Sequence, residues 1–390
     1  MEILFLTTII FSQNCNGGEV ASQCFIEALK KLCHSVTVVG YLRKGDKLEQ
    51  NPQEFLVVGE RYTETLKANK FYVLMWLALS FWKHLPYSST KYYSRAYVDV
   101  VKQLIFTKKY DAIVIEHAQL GWIENFLTLP IPKIFIAQNI EYEIYEHRWQ
   151  NTKNLMLKII YKREAILTKY QEEQLSKACQ TIWTLTDRDN KYFSEINDSN
   201  KTRTLAIAPD FAKLEAHTFR KCFDIGILGS WTWEANKEGL KWFLESVYLY
   251  LPVHLSIYVA GKGADWLHSK YPNIYYCGVV PNAQQFLSQA KVVAIPTLSG
   301  SGIQIKTLEA IASGSWIVAT PVALRGISHP PPTVTAAETA TDFASSIVSS
   351  VNLPHNQKAW EQTKNWYAKR RNQFLKDLAA ATTNICLLKV

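Results

Sequence analysis

The sequence predicts an α/β fold with two doubly wound parallel sheets, one in each half of the chain. Three observations predict it. Short Val/Ile-rich runs without polar alternation suit parallel strands covered on both faces. Amphipathic segments separate those runs at the spacing of βαβ units. The whole alternation occurs twice, with a break at IAPDFAKLEAHTFRKC, residues 207–222, which lacks a periodic pattern and contains Pro209. Two such halves would enclose a central cleft, and α/β sheets bind ligands beyond the carboxyl ends of their strands.

In the first half, strands are expected at residues 2–10, 35–40, 112–116, 133–138 and 181–184. Helices are expected between them at 19–31, 123–127 and 155–177. In the second half, the strands fall at 224–229, 255–261, 274–278, 292–296 and 316–320, and the helices at 237–249, 283–289 and 306–312. HPPPT, residues 329–333, marks a loop, and a helical tail runs from about 341 to 388. The expected organisation is a first domain over 1–208, a linker over 209–222, a second domain over 223–355 and a tail over 356–390 that packs back on the first domain.

Composition bounds the function. The chain has 390 residues, enough for two domains of ordinary size. Hydrophobic residues make up 48% and charged residues 20%, which excludes global disorder. The formal charge of +9 suits anionic partners such as nucleotide phosphates or anionic lipid. The basic residues are dispersed and form no nucleic-acid recognition motif, so no nucleic-acid partner is expected. The seven cysteines are scattered without a CxxC pair, which argues against a disulfide framework or a zinc site and for a reduced compartment. MEILFLTTIIF lacks a basic leader region and reads as a buried strand rather than a signal peptide. The apolar run FYVLMWLALSFW would span roughly 18 Å as a helix, too short to cross a bilayer. It lies in an aromatic, basic region, residues 70–97, for which an interfacial patch or an acceptor-binding arm competes with a buried helix pair. The buried pair is the reading favoured by sequence alone.

The stretch GSGIQIKTLEAIASG, residues 300–314, concentrates the chemistry. It follows the strand VVAIP, and Gly314 closes its helix at the C-terminal cap. Glycines at a helix N-terminus let backbone N–H groups approach an anion, and the helix dipole favours negative charge there. Lys306 lies in the first turn and can add a point charge to a phosphate. Glu309, three residues on, shares its face, and a carboxylate there can accept two hydroxyls, as ribose presents. The set fits a nucleotide-diphosphate cradle, and a Lys306–Glu309 surface ion pair fits it equally.

From residue 224 to 327 the sequence resembles the donor-binding domain of GT-B glycosyltransferases of family 4. GSWTWEANKEGLKWF, LSIYVAGKG, the run from YCGVV to GSGIQIKTLEAIASG, and WIVATPVALRGI follow that family's landmarks in order. The resemblance implies a GT-B fold, with a first, acceptor-binding Rossmann-like domain and a second, donor-binding one facing a central cleft. It implies that Ser301, Gly302 and Ile303 offer backbone N–H groups to the donor diphosphate, that Lys306 neutralises it and that Glu309 binds the ribose. Gly278, Val279 and Val280 would line the base, and Asn236 and Lys237 would enter the site at a helix start. Gly229 and Gly261 end two strands beside it. Many family members carry a glutamate where this chain has Ser301, so the donor sugar is left open.

The first half matches more weakly. Asn16, Gly17 and Gly18 would form a first loop that brings backbone near donor and acceptor. VIEHAQLGW ends a strand with Glu116 and His117, and His117 can hydrogen-bond a sugar hydroxyl or serve a structural role. IAQNIEYEIYEHR resembles the family's HNvE motif, with Gln138 in place of the histidine. Asn139 and Glu141 would then meet the acceptor, Glu141 as a candidate base; otherwise Glu141 complements a helix dipole. His117, Glu141 and Lys306 are the catalytic candidates.

The resemblance implies a transferase that moves a sugar from a nucleotide-diphosphate donor, with UDP-sugars favoured, to an acceptor hydroxyl. It suggests retention, no metal and no cofactor beyond the co-substrate. The acceptor could be a glycan, lipid-linked saccharide, small molecule or protein, and the expected place is cytoplasmic or peripheral at the inner face of a membrane. The rivals are a nucleotide-sugar epimerase or phosphorylase of the same fold and a non-catalytic nucleotide-sugar binder.

Overall fold

A computed structural model describes residues 1–12, 16–127, 130–211, 220–354 and 357–387. Residues 212–219 of the expected linker lie outside these, as does Cys15. The chain divides into two units, Met1–Ile207 with Phe374–Val390, and Ala208–Gln373.

The first unit is built in chain order from β1 (Glu2–Ile9), α1 (Gly17–Lys31), β2 (Ser35–Arg43), β3 (Phe55–Arg61), α2 (Lys70–Lys83), α3 (Tyr87–Thr90) and α4 (Arg95–Thr107). Then come β4 (Ala112–Glu116), β5 (Lys133–Ala137), α5 (Glu141–Asn151), α6 (Leu155–Ala178), β6 (Thr181–Thr184), α7 (Asp187–Ile196) and β7 (Thr202–Thr204). The strands form one parallel sheet in the order β3-β2-β1-β4-β5-β6-β7. β1 lies inside it, with Leu4 opposite Thr37 of β2 and Ile113 of β4. Ile3, Leu4, Phe5 and Leu6 are all fully buried, which is why the strand shows no alternation. Residues 118–126 form a 3-10 stretch rather than the short helix expected at 123–127. The strand β3 was not expected. It is the sheet's edge, half exposed, and its Gly59, Glu60 and Arg61 hide the strand signal.

The second unit contains β8 (Phe223–Leu228), α8 (Glu234–Trp242), β9 (Ile257–Ala260), β10 (Ile274–Gly278), α9 (Ala283–Gln289) and β11 (Ala290–Ile295). α10 (Ile305–Ala312), β12 (Trp316–Ala319), β13 (Val334–Ala336) and α11 (Ala340–Val351) complete it, with α12 (Gln357–Leu387) divided between the units at Gln373. The parallel sheet runs β10-β9-β8-β11-β12-β13. Its core joins Ile225, Ile227, Val259 and Val292 of the sheet to Leu240 and Phe243 on one covering segment and Phe343 and Ile347 of α11. β7 and β13 are three residues each, too short to carry a periodic signal. The helix expected at 237–249 starts earlier, at Glu234, and passes into a π turn over Phe243–Val247. The expected helical tail consists of two helices, α11 and α12.

One sequence reading is overturned. The region 70–97 is not a buried helix pair: along α2 only Trp76 and Ser80 are buried, while Phe71, Leu74, Phe81 and Trp82 are exposed. Hydropathy alone cannot say which apolar helix faces a core, and here the first unit fills its core from other elements.

The close packing of α8 on the sheet sets up the site. A Cβ added at Gly239 would fall 2.0 Å from the Pro296 carbonyl oxygen, just past β11. Backbone cannot yield as a side-chain end does, so Gly239→Ala should destabilise the protein by about 2 kcal/mol or more, read as a lower midpoint in denaturant melts. An unchanged midpoint would contradict this packing.

Candidate active site

In the second sheet the strand order reverses between β8 and β11. Successive crossovers leave such a point in opposite directions and open a crevice at the carboxyl ends of the strands. The segments that follow β8 and β11 meet there. Gly261, after β9, has φ +113°, and a Cβ on it would lie 1.7 Å from the Gly229 carbonyl oxygen. Its N–H donates to the Gly278 carbonyl at 2.6 Å, so the ends of β8, β9 and β10 are drawn together. Trp231 is buried and donates from Nε1 to the Ala260 carbonyl at 3.0 Å, which anchors the segment leading into α8.

The helix α10 starts at the same edge. Gly300 and Gly302 have φ of +131° and +68°, left-handed turns that only glycine adopts without strain. The Arg325 guanidinium donates to the Gly300 carbonyl and Ser299 Oγ donates to Glu238 at 2.8 Å, so the loop is held from two sides. No side chain caps α10; its Thr307 N–H turns back to the Gln304 carbonyl at 2.9 Å, and the N–H groups before it meet no side-chain cap and can turn to an anion.

Lys306 and Glu309 do not pair with each other. Lys306 Nζ donates instead to Asn236 Oδ1 of α8 at 2.9 Å, and Asn236 Nδ2 donates to the Ser230 carbonyl at 3.1 Å. Both charged side chains are partly buried, and neither meets an opposite charge among the described residues. Burial pushes the Lys306 ammonium down to about 8 and the Glu309 carboxyl up to about 7. A cation and an anion on one helix, each partly stripped of water and each without a counter-ion, suit a ligand that carries both an anion and hydroxyls.

The profile of the glycosyl transferases group 1 family matches residues 222–352. This stretch is a glycosyl transferases group 1 domain. No curated protein matches the chain by sequence. Solved structures match it by fold. WaaG, a glycosyltransferase involved in lipopolysaccharide biosynthesis, is 13% identical with TM-score 0.63, over 97% of this chain and 98% of that one. Sucrose-phosphate synthase from Thermosynechococcus elongatus is 12% identical with TM-score 0.66, over 99% and 98%. HepE of Anabaena in complex with UDP and glucose is 11% identical with TM-score 0.63, over 98% and 100%. The fold is GT-B, with two Rossmann-like units.

In the group 1 domain, Ser301 is partly buried while Gly302 and Ile303 are buried directly before α10. Gly229, Gly261 and Gly278 adjoin one another, and Val279, just beyond, exposes its side chain. Lys237 is exposed, and its neighbour Asn236 makes the contact with Lys306. Arg325, which holds the loop at Gly300, lies in VALRGI, where no sequence spacing ties it to that loop.

The first unit has its own reversal, between β1 and β4. Gly17 and Gly18 begin α1 rather than forming a loop; Asn16 caps the helix by accepting from the Glu19 N–H at 3.1 Å. His117 follows β4 with φ +70°, a strained conformation for a non-glycine residue, and its ring lies near Gly18. Glu116, fully buried, accepts from Ser22 Oγ at 2.6 Å and from Gln138 Nε2 at 2.8 Å. Gln138 Nε2 also donates to the Gly18 carbonyl at 3.0 Å. Gln138 therefore ties β5 to β4 and to the start of α1. Burial raises the Glu141 carboxyl above its usual range, opposed by His117, Gln119 and Asn139. The structure thus brings His117, Asn139 and Glu141 together.

Two further features were not legible. Glu172 of α6 accepts the N–H groups of Glu141 and Tyr142 at 2.7 and 3.0 Å, capping α5 from another helix. A cavity of about 160 Å³ is lined by Arg61, Tyr72, Trp76, Lys91 and Tyr93, and burial pushes Lys91 down to about 8.

The two displaced values on α10 carry a sign. The folded Glu309 carboxyl holds its proton up to about 7, above its ordinary range, so this group's contribution to stability falls as pH rises through that interval. Lys306 loses its proton near 8, below its ordinary range, so its penalty on the folded state fades only above that pH. Glu309→Gln should therefore raise the thermal midpoint over wild type at about pH 8 and leave it unchanged at about pH 4, where the carboxyl is protonated in both states. Equal midpoints at both pH values would show that Glu309 is not desolvated.

Proposed function

We propose that the protein transfers a sugar from a nucleotide-diphosphate donor, a UDP-sugar, to an acceptor hydroxyl. The uncompensated Lys306 and Glu309 at the start of α10 carry this reading. The first N–H groups of α10 and the Lys306 ammonium would take the diphosphate, and Glu309 would accept the ribose hydroxyls. The group 1 family match supports the sugar-nucleotide class. Uridine is supported by HepE, whose structure contains UDP and glucose, and by a trehalose-phosphate synthase described as UDP-forming.

In the transfer, the bond from the anomeric carbon to the diphosphate oxygen breaks and a bond to the acceptor oxygen forms on the same face. The acceptor proton passes to the departing phosphate. Charge on that phosphate is met by Lys306 and the helix dipole, with no metal required. His117 and Glu141 act on the acceptor side, His117 by hydrogen bonding a hydroxyl and Glu141 by orienting the acceptor through its carboxyl group.

Calorimetric titration of UDP, GDP, ADP and dTDP tests the cradle. UDP should bind selectively, and Lys306→Ala and Glu309→Ala should each weaken it about tenfold or more, the size of one charge-assisted hydrogen bond. No binding by any nucleotide would overturn the reading. In transfer assays, His117→Ala and Glu141→Gln should lower kcat by about 10²-fold while UDP affinity stays at the wild-type value. An inverted product, seen in the anomeric NMR signal, would exclude same-face transfer. Isomerised donor formed without any acceptor would identify an epimerase instead.

A further inference from the structure

The first unit exposes more apolar side chain than its own packing uses. On α2, Phe71, Leu74, Phe81 and Trp82 are 69%, 65%, 64% and 76% exposed. α6 opens with LMLKII, and every one of these six residues is exposed. Leu155 and Ile159 reach 77% and 71%. A helix that shows leucine and isoleucine to water over its first two turns has no reason to fold that way in water alone.

The two exposed segments adjoin. Arg163 of α6 donates from Nη1 to Ser80 Oγ and from Nη2 to the Ser80 carbonyl, each at 2.9 Å, and its guanidinium lies 4.4 Å from the centre of the Phe81 ring. Tyr87, just beyond α2, donates its N–H to Glu164 of α6 at 2.7 Å. The C-terminal turns of α2 therefore pack beside α6 just past its exposed apolar start.

Charge decides what covers it. Between Glu64 and Asp99 the chain has five Lys or Arg and no acidic residue, and residues 152–163 have four and none. Lys70 and Lys83 stand at the two ends of α2, and Lys158 stands within the apolar turn of α6. None of these three forms an ion pair among the described residues. The Lys83 ammonium lies over the Trp82 ring, 4.9 Å from its centre, a pairing suited to a boundary between water and hydrocarbon. A second copy of the chain on a twofold axis would set these lysines against themselves. An anionic lipid surface meets both the apolar side chains and the lysines. Neither helix is long and apolar enough to cross a bilayer.

We propose that the exposed faces of α2 and of the first turns of α6 dock this protein on an anionic bilayer. Phe71, Trp82, Leu155 and Ile159 sit among the acyl chains, and Lys70, Lys83 and Lys158 meet the headgroup phosphates. The helices lie in the membrane plane, and docking does not depend on the nucleotide site.

Flotation with phosphatidylcholine vesicles, with and without phosphatidylglycerol, tests this on the full chain. Wild type should float with the anionic vesicles, less so as salt rises, and stay behind with the neutral ones. The double variant Trp82→Ser/Ile159→Ser should lose about tenfold or more in partition, as should Lys83→Glu/Lys158→Glu. Both pairs are exposed, so thermal melts and UDP titration should match wild type. Wild type that fails to float with anionic vesicles overturns the proposal, as does flotation unchanged in the apolar variant. A wild-type dimer that Trp82→Ser/Ile159→Ser converts to monomer also overturns it, because a second copy would then be the occupant.

Discussion

The second unit depends on close backbone approach at the carboxyl edge of its sheet. Gly261 lets the ends of β8 and β9 touch, and Gly239 lets α8 press against the backbone beyond β11. No side chain larger than hydrogen fits either place. Because those contacts are tight, the starts of α8 and α10 lie side by side, and Asn236 can hold Lys306 across 70 positions of sequence. Loosening either contact would move the two helix starts apart and lose the alignment of ammonium, carboxylate and helix N–H groups.

That alignment costs stability. Lys306 and Glu309 each lose water without gaining a counter-ion, and both protonation equilibria move toward the neutral form. An ion pair between them would have relieved both groups. In the proposed donor site their separation would keep each group directed at a ligand, a common trade of stability for function. The first unit shows the same economy in another form: His117 holds a strained backbone conformation beside a fully satisfied Glu116–Ser22–Gln138 network.

Much of this was legible in the sequence, for physical reasons. Inner strands such as β1 and β4 are covered on both faces and show uninterrupted apolar runs, so their positions can be read directly. The edge strand β10 could be read, but the edges β3, β7 and β13 could not, because these three are short, charged or half exposed. Lys306 and Glu309 were identifiable from their spacing behind a glycine-rich loop, but whether they pair was not, since Asn236 comes from a different helix. The cap on α5 was hidden for the same reason, as Glu172 lies one helix away. With α2 the error was of kind: apolar content marks a surface that avoids water, and it does not say whether protein or something else provides the cover.

The central claim is that Lys306 waits, partly deprotonated, for a phosphate. Titration calorimetry of UDP at pH 8 in buffers of different ionisation enthalpy tests it most directly. An ammonium that titrates near 8 when empty and is fully charged against a diphosphate must take up about half a proton per UDP bound at that pH. Glu309, already mostly ionised there, contributes little. The account predicts a binding heat that varies with buffer by that uptake. A heat independent of buffer would mean that Lys306 keeps its charge without a ligand, and the uncompensated cradle would not exist.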